Sequence, residues 1–127
     1  MALGFNDEID EIQATSLRAL ASPHRVRLVH LLIDGPREVR DIAAALGLGQ
    51  APTSQHLSAL RSVGLVEASR DGRLVTYRLA DPDIARACTL MRAVLVRRLT
   101  RLGRVAAAEA RAPRHLPQSD QLEAVPS

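Results

Sequence analysis

The chain has little sulfur and few aromatic side chains. Among its 127 residues are one cysteine, Cys88, one Phe, one Tyr and no Trp. A single cysteine excludes an intrachain disulfide scaffold and any metal site built from several thiolates of one chain. Hydrophobic residues make up 46% of the sequence, and nearly all are Leu, Val, Ile and Ala. A core of this composition suits packed helices.

Long apolar runs are also missing. No segment approaches the roughly 20 residues of a membrane span, and the acidic N-terminus lacks the features of a signal peptide, which predicts a soluble cytoplasmic protein. We find no Gly-rich phosphate loop, nucleophile set or metal cluster, so we do not expect an enzyme. The length predicts one domain, over residues 1–108, followed by a Pro-containing disordered tail over residues 109–127.

The chain contains no lysine. All 17 residues of the Lys and Arg total are Arg, and the net charge is +3. The planar guanidinium group of arginine fits the geometry of phosphates and guanine edges, which favours a nucleic-acid partner. A GC-rich genome would produce the same preference for arginine over lysine. Eight arginines lie within residues 84–114, whereas acidic residues are frequent near the N-terminus. The basic stretch can be a solvated helix face, an extra phosphate contact or a partner of the acidic first helix.

Capping signals and hydrophobic periodicity predict five helices. The first begins after Asn6 and has apolar residues at helical spacing, and the second begins at Ser22-Pro23. After Gly35-Pro36, a brief extended segment at Glu38-Val39 precedes a short third helix that ends at Gly47. The fourth helix is predicted from about Gln50 to Val63, and the fifth begins at Asp81-Pro82. The fifth helix carries a long apolar stripe, which needs a partner: Ile84, Cys88, Met91, Leu95, Leu99 and Leu102.

A β-hairpin is predicted between the last two helices. Residues 65–70 and 73–79 read as strands, and Asp71-Gly72 favours a tight turn between them. A short helix, a Gly-containing turn, a second helix and a hairpin with arginines near its tip follow the order that lays one helix in a major groove. We therefore predict a mainly α-helical winged helix-turn-helix domain with a two-stranded wing.

The fourth helix has two distinct faces. Thr53, Leu57, Leu60 and Val63 are predicted to face inward, and the opposite face is polar and small. Glutamines on that face can read adenine edges, serines can bind bases or phosphates, and Arg61 can bind phosphate or guanine. Arg70 and Arg73 would project from the wing. The DNA-binding residues predicted from these two elements are Gln50, Ser54, Gln55, Ser58, Arg61, Arg70 and Arg73. The alternative, an ordinary solvated face, is less attractive in this order of elements.

These segments resemble the ArsR/SmtB-type transcriptional regulators. Residues 21–28 read ASPHRVRL, similar to the family signature A-x-P-x-R-[VL]-R-[IL]. DIAAALGLGQ at 41–50, SQHL at 54–57 and LRSVGLV at 60–66 match its helix-turn-helix pattern, and RDGR at 70–73 with YRL at 77–79 resembles its wing. The resemblance covers about residues 15–100.

The resemblance implies a homodimer formed through the first and fifth helices. It also implies binding to an imperfect palindromic operator and repression until an inducer lowers DNA affinity. Thr53 is included among the DNA-binding residues because the family often uses that position, although helix geometry turns it inward. Two alternatives stay open: a winged-helix protein-interaction module without specific DNA binding, and a regulator that activates transcription.

No cofactor or metal ligand is predicted. Family metal sensors often carry Cys-Val-Cys-Asp at the third helix, where this chain has EVRD at 38–41, and the fifth helix lacks the histidines of the second family site. A metal inducer nevertheless stays an alternative. His56 is interpreted as a structural residue and His115, in the tail, as a solvated one. Cys88 on the apolar stripe is interpreted as a buried small hydrophobe, with a thiol sensor as the alternative.

Overall fold

The computed structural model describes residues 5–103. In chain order the elements are α1 (Asp7–Ala19), α2 (Pro23–Leu32), β1 (Arg37–Glu38), α3 (Val39–Leu46), α4 (Gln50–Ser62), β2 (Val66–Asp71), β3 (Leu74–Leu79) and α5 (Pro82–Arg101). Five helices and a small antiparallel hairpin confirm the predicted fold class. The residues form two structural units, one ending at Arg86 and one beginning at Ala87, inside α5. The predicted tail at 109–127 and the end of the predicted domain lie outside the described residues.

Local signals determine where the helices begin and end. The Asn6 side chain accepts a hydrogen bond from the Ile9 amide at 3.1 Å and caps α1. Ser22 caps α2 in the same way, with Pro23 in the first turn, where no amide hydrogen is needed. Gly47 ends α3 with φ of +69°, a conformation that costs glycine little. None of the helices in residues 5–103 is long and apolar enough to cross a membrane.

The core lies where α2, α3 and α4 meet the sheet. Its largest fully buried side chains are Leu28, Val29, Ile42, Thr53, Leu57, Leu60 and Val66. On α4 the buried residues Thr53, Leu57 and Leu60 recur at helical spacing, so one face of that helix turns inward. The core therefore holds α4 by its apolar face and leaves the opposite face in solvent.

The sheet has one strand more than the predicted wing. Strand order is β1-β3-β2, with all pairs antiparallel, and β1 aligns Arg37 with Tyr77 and Glu38 with Thr76. The extended segment was predicted at Glu38-Val39, but the strand is one residue earlier because Val39 already begins α3. Pairing with β1 ties the base of the hairpin to the start of the helix-turn-helix.

The turn of the hairpin also differs by one residue from the prediction. Asp71 pairs with Leu74, so the two-residue loop is Gly72 and Arg73 rather than Asp71 and Gly72. Gly72 has φ of +63°, which suits glycine at the first position of such a loop. Arg73 therefore lies in the turn itself, and Arg70 lies on β2 opposite Val75.

Two helices expose apolar side chains to solvent. On α1 and just before it, Phe5, Ile9 and Ile12 are exposed. The part of α5 that follows Ala87 exposes Leu90, Met91, Val94 and Leu95, each by 52 to 67%. No residue of α5 is fully buried. Exposed apolar side chains that follow one helix face are typical of surfaces that another chain covers, and the dimer expected from the family resemblance would use both helices in this way.

Candidate nucleic-acid interface

The helix-turn-helix is a compact connection between α3 and α4. The Leu48 amide donates to the Ala43 carbonyl at 2.9 Å, and the Gly47 amide donates to the Ala44 carbonyl at 3.2 Å. These bonds satisfy the Ala43 and Ala44 carbonyls at the end of α3, and the chain changes direction within three residues. Gly49 then precedes the first turn of α4. The turn presents α4 with its polar face outward.

The outward face of α4 carries most of the predicted reading residues. All five are exposed: Gln50, Ser54, Gln55, Ser58 and Arg61. Gln50, Ser54, Ser58 and Arg61 are spaced three to four residues apart and Gln55 follows Ser54, so the five lie along one side of a 13-residue helix. The amides, hydroxyls and guanidinium on this side can donate to or accept from base edges and phosphates. Because the serines are small, a binding partner can approach the backbone of α4 closely.

Thr53 corrects the predicted set of DNA-binding residues. Its side chain is fully buried, and its hydroxyl donates to the Gly49 carbonyl at 2.9 Å. It lies on the inward side with Leu57 and Leu60, as helix geometry requires. A buried hydroxyl engaged with its own backbone cannot reach a base edge, so Thr53 packs α4 against the core instead of contacting DNA.

The hairpin has two different faces. Pairing of Ala68 with Tyr77 and of Arg70 with Val75 places these four residues on one face. On the other face the Arg78 guanidinium donates to the Glu67 carboxylate and to the Ser69 hydroxyl, each at 2.8 Å. These cross-strand contacts hold the strands in register. Arg70, on the first face, takes no part in these contacts.

Two surface clefts lie between α4 and the hairpin. One, of about 480 Å³, brings Gln50 at the start of α4 together with Arg73 in the turn. The other, of about 440 Å³, brings Arg61 near the end of α4 together with Arg70 on β2. Val39 and Val75 line both clefts. Each cleft therefore joins one predicted residue of the helix to one predicted residue of the wing.

The clefts also contain residues that the sequence analysis did not predict. Arg40 lines the first cleft and Tyr77 the second. Arg40 lies 3.8 Å from the Glu38 carboxylate, and its side chain is 71% exposed. The sequence offers a signal for Tyr77, which is its single tyrosine, whereas Arg40 resembles any exposed helix residue.

Three of the four arginines that line these clefts are electrostatically available. Within residues 5–103, Arg61, Arg70 and Arg73 form no ion pair. An exposed guanidinium without an internal partner can bind a phosphate without first breaking a salt bridge. Glu38 is the carboxylate in the first cleft, and it makes that cleft less basic than the second.

Two of the residues considered as sensors or metal ligands are Cys88 and His56. Cys88 is half-buried, and burial raises the pKa of its thiol above the ordinary value, which disfavours the reactive thiolate. His56 accepts a hydrogen bond from Arg25 at 3.0 Å on the inner side of α4. Within the described part of the chain, no three His, Cys, Asp or Glu residues are grouped closely enough to hold a metal ion.

Comparison with known proteins places these elements in one family. The family model for the bacterial regulatory proteins of the arsR family matches residues 22–68, which include α2, the helix-turn-helix and the start of the hairpin. The uncharacterized HTH-type transcriptional regulator Rv0081 of Mycobacterium tuberculosis is 36% identical over 96 residues, 75% of this chain and 84% of the relative. The regulator CmtR of Mycobacterium bovis is 50% identical over 70 residues, 55% of this chain and 59% of the relative.

Solved structures that resemble this chain indicate the same family as the sequence relatives. The homodimeric winged helix-turn-helix DNA-binding domain of Mb0332 from Mycobacterium bovis, a possible ArsR-family regulator, superimposes with a TM-score of 0.70 at 37% identity. That match covers 78% of this chain and 94% of the other. The crystal structure of Rv0081 matches with a TM-score of 0.67 and covers 72% and 93% of the two chains. Since relatives in sequence and in structure share the same helix-turn-helix and wing, this chain belongs to the ArsR family of DNA-binding, non-enzymatic transcriptional regulators.

Proposed function

We propose that the protein is a homodimeric repressor that binds a palindromic operator and is released by a small inducer. The observation that carries the proposal is the pairing of α4 and wing residues in two clefts, Gln50 with Arg73 and Arg61 with Arg70. In this arrangement a duplex that receives α4 in its major groove has its backbone next to the wing arginines.

The contacts divide into two classes. The exposed side chains of Ser54, Gln55 and Ser58 lie along the middle of α4 and read base edges in the major groove. Arg61, Arg70 and Arg73, which are free of internal ion pairs within residues 5–103, bind phosphates and set the register. Specificity therefore resides in α4, and the salt dependence resides mainly in the cleft arginines.

Dimerisation gives the second half-site. The exposed apolar residues of α1 and, separately, those of α5 supply surface that a second copy of the chain covers. A two-fold dimer presents two copies of α4 and matches a palindrome whose half-sites are about one helical turn apart. The inducer is a small molecule. It is not a metal held at either of the two usual family sites, because residues 38–41 lack the cysteine ligands and α5 contains no histidine. A metal bound elsewhere is the alternative.

The test is a fluorescence anisotropy titration of the purified protein. The protein is titrated against the duplex upstream of its own gene and against a scrambled duplex, at two salt concentrations. A Ser54→Ala/Gln55→Ala variant and an Arg27→Ala control accompany it, because Arg27 is exposed on α2 and lines neither cleft. We expect tight binding to the native duplex that the double variant loses and the control keeps.

Equal weak binding to both duplexes that collapses with salt would refute specific DNA recognition. A winged-helix protein-interaction module would then be the better description. A reporter gene behind the same upstream DNA separates repression from activation, since deletion of a repressor raises expression and deletion of an activator lowers it.

A further inference from the structure

One arginine connects three helices behind the reading face. The Arg25 side chain, in the first turn of α2, donates from Nε to His56 Nδ1 on α4 at 3.0 Å. Its Nη1 donates to the Ala19 carbonyl at the end of α1, at 3.1 Å. Both contacts are partly buried, and 31 residues separate Arg25 from His56 along the chain. The guanidinium therefore links α4 to the C-terminal end of α1 and to the first turn of α2.

The bond between Arg25 and His56 requires a neutral histidine. A guanidinium has only donors and stays charged in proteins, so His56 Nδ1 must offer its lone pair and carry no hydrogen. The ring is then the tautomer with its hydrogen on Nε2. Protonation of His56 would replace the acceptor with a donor and place a second positive charge 3.0 Å from Arg25. The contact would change from attractive to repulsive.

The surroundings of His56 also favour its neutral form. The His24 ring lies 5.5 Å from the His56 ring, and His24 Nδ1 is buried without a hydrogen-bond partner within residues 5–103. Burial, then the charge of Arg25, then that of His24 lower the pKa of His56 below its ordinary value. The named causes of this shift do not include the charged residues of α1, α3 and β2, which also pack against α4: Asp7, Glu8, Asp10, Glu11, Arg18, Arg40, Asp41, Glu67, Arg70 and Asp71.

We propose that Arg25 and His56 are positioning residues for DNA reading, which hold α4 in its binding pose only while His56 is neutral. The inference rests on the proposed use of α4 to read an operator. His56 directly follows the exposed Gln55 on α4, so a shift of His56 away from Arg25 moves the reading side chains with it. Neither Arg25 nor His56 lines the clefts that face DNA.

The sign of the expected pH effect follows from the lowered pKa. The folded protein binds a proton at His56 less readily than the unfolded chain, so the ordered pose is fully stable above the ordinary histidine value of about 6.5 and weakens below it. Specific binding should fall as the pH decreases from about 8 to about 5.5. Non-specific phosphate attraction should not fall, because protonation adds positive charge.

Two substitutions separate positioning from a general loss of folding. His56→Gln keeps an acceptor for Arg25 but cannot titrate, so it should bind the native duplex within about threefold of the wild type and show a flat pH profile. Arg25→Lys keeps the charge but loses the planar fork, and the ratio of native to scrambled affinity should fall about tenfold. Arg27→Lys, two residues along the same helix and exposed, is the matched control and should behave as the wild type.

The experiment measures anisotropy titrations of the full chain on native and scrambled duplexes across this pH range, at a temperature where circular dichroism shows each protein folded. A His56→Gln protein that keeps the wild-type pH profile would overturn the proposal, even if Arg25→Lys does not fold. Full discrimination by a folded Arg25→Lys protein would overturn it as well. A wild-type protein that does not distinguish the duplexes at about pH 8 would refute operator reading itself, and this inference with it.

Discussion

Removal of the Arg70 guanidinium tests whether the second cleft binds a DNA phosphate. Arg70 lies on the hairpin face that meets Arg61, and neither side chain has an ion pair within residues 5–103. Each phosphate that a protein neutralises contributes about 0.9 to the slope of log affinity against log salt. A dimer carries two copies of Arg70, so Arg70→Ala should lower the magnitude of that slope by about 1.8.

The assay is a salt titration of anisotropy between about 50 and 200 mM, the range over which phosphate-binding proteins lose much of their affinity. A slope difference of about 1.8 means that the wild type loses about 12-fold more affinity than the variant over this fourfold range. Arg27→Ala, which removes an equal charge outside the clefts, should keep the wild-type slope. Equal slopes for Arg70→Ala and Arg27→Ala would refute the phosphate contact.

The double variant Arg61→Ala/Arg70→Ala shows how many phosphates the cleft binds. If one phosphate is bound only when both guanidinium groups are present, loss of either removes it and the slope change stays at about 1.8, whereas separate phosphates bring it to about 3.6. We expect the smaller value, because both side chains line a single cleft of about 440 Å³. Additive slopes would contradict the shared site while leaving the phosphate role of each arginine intact.

Three further predictions concern stability and reactivity. Thr53→Val should lower the free energy of unfolding by about 1 kcal/mol in urea denaturation, because it removes the bond to the Gly49 carbonyl, yet leave DNA affinity nearly unchanged; a large affinity loss in the folded variant would restore Thr53 as a DNA contact. Gly47→Ala should cost about 1–2 kcal/mol from its φ of +69° alone, since nothing lies within 4 Å of the added Cβ. Gly49→Ala, without positive φ, should cost less, and equal losses in urea would contradict this reasoning. Alkylation of Cys88 by iodoacetamide at neutral pH should be slower in the folded than in the urea-unfolded protein, because burial raises the pKa of the thiol; equal rates would refute its protection.

On α4, helix periodicity and the family resemblance predict different roles for Thr53. Helix periodicity alone placed Thr53 inward and Ser54, Gln55 and Ser58 outward, and the structure has them so. The family habit that added Thr53 to the DNA-binding set disagreed with that geometry, and the geometry was correct. Burial of Thr53 beside Leu57 follows from a 100° turn per residue, which holds whatever the helix binds.

The hairpin shows what a local signal leaves undecided. Asp71-Gly72 correctly predicted a tight turn, but the register that pairs Asp71 with Leu74 shifted the loop to Gly72 and Arg73. A shift of one residue is decided by cross-strand pairing along the whole hairpin and by β1 on its other edge, rather than by the turn residues alone. In this register Arg73 occupies the turn, and Arg70 lies on the hairpin face that lines the second cleft.

By itself the sequence determined the order of the elements, their helical ends and the polarity of each face, since caps, glycine turns and hydrophobic periodicity act over a few neighbouring residues. Only the tertiary structure decided which distant residues meet. The pairing of β1 with β3, the two clefts and the bridge from Arg25 to Ala19 and His56 all depend on how the helices pack against one another and the sheet. These contacts leave no periodic trace in a single sequence, because each joins residues far apart in the chain through a core that many apolar side chains form together.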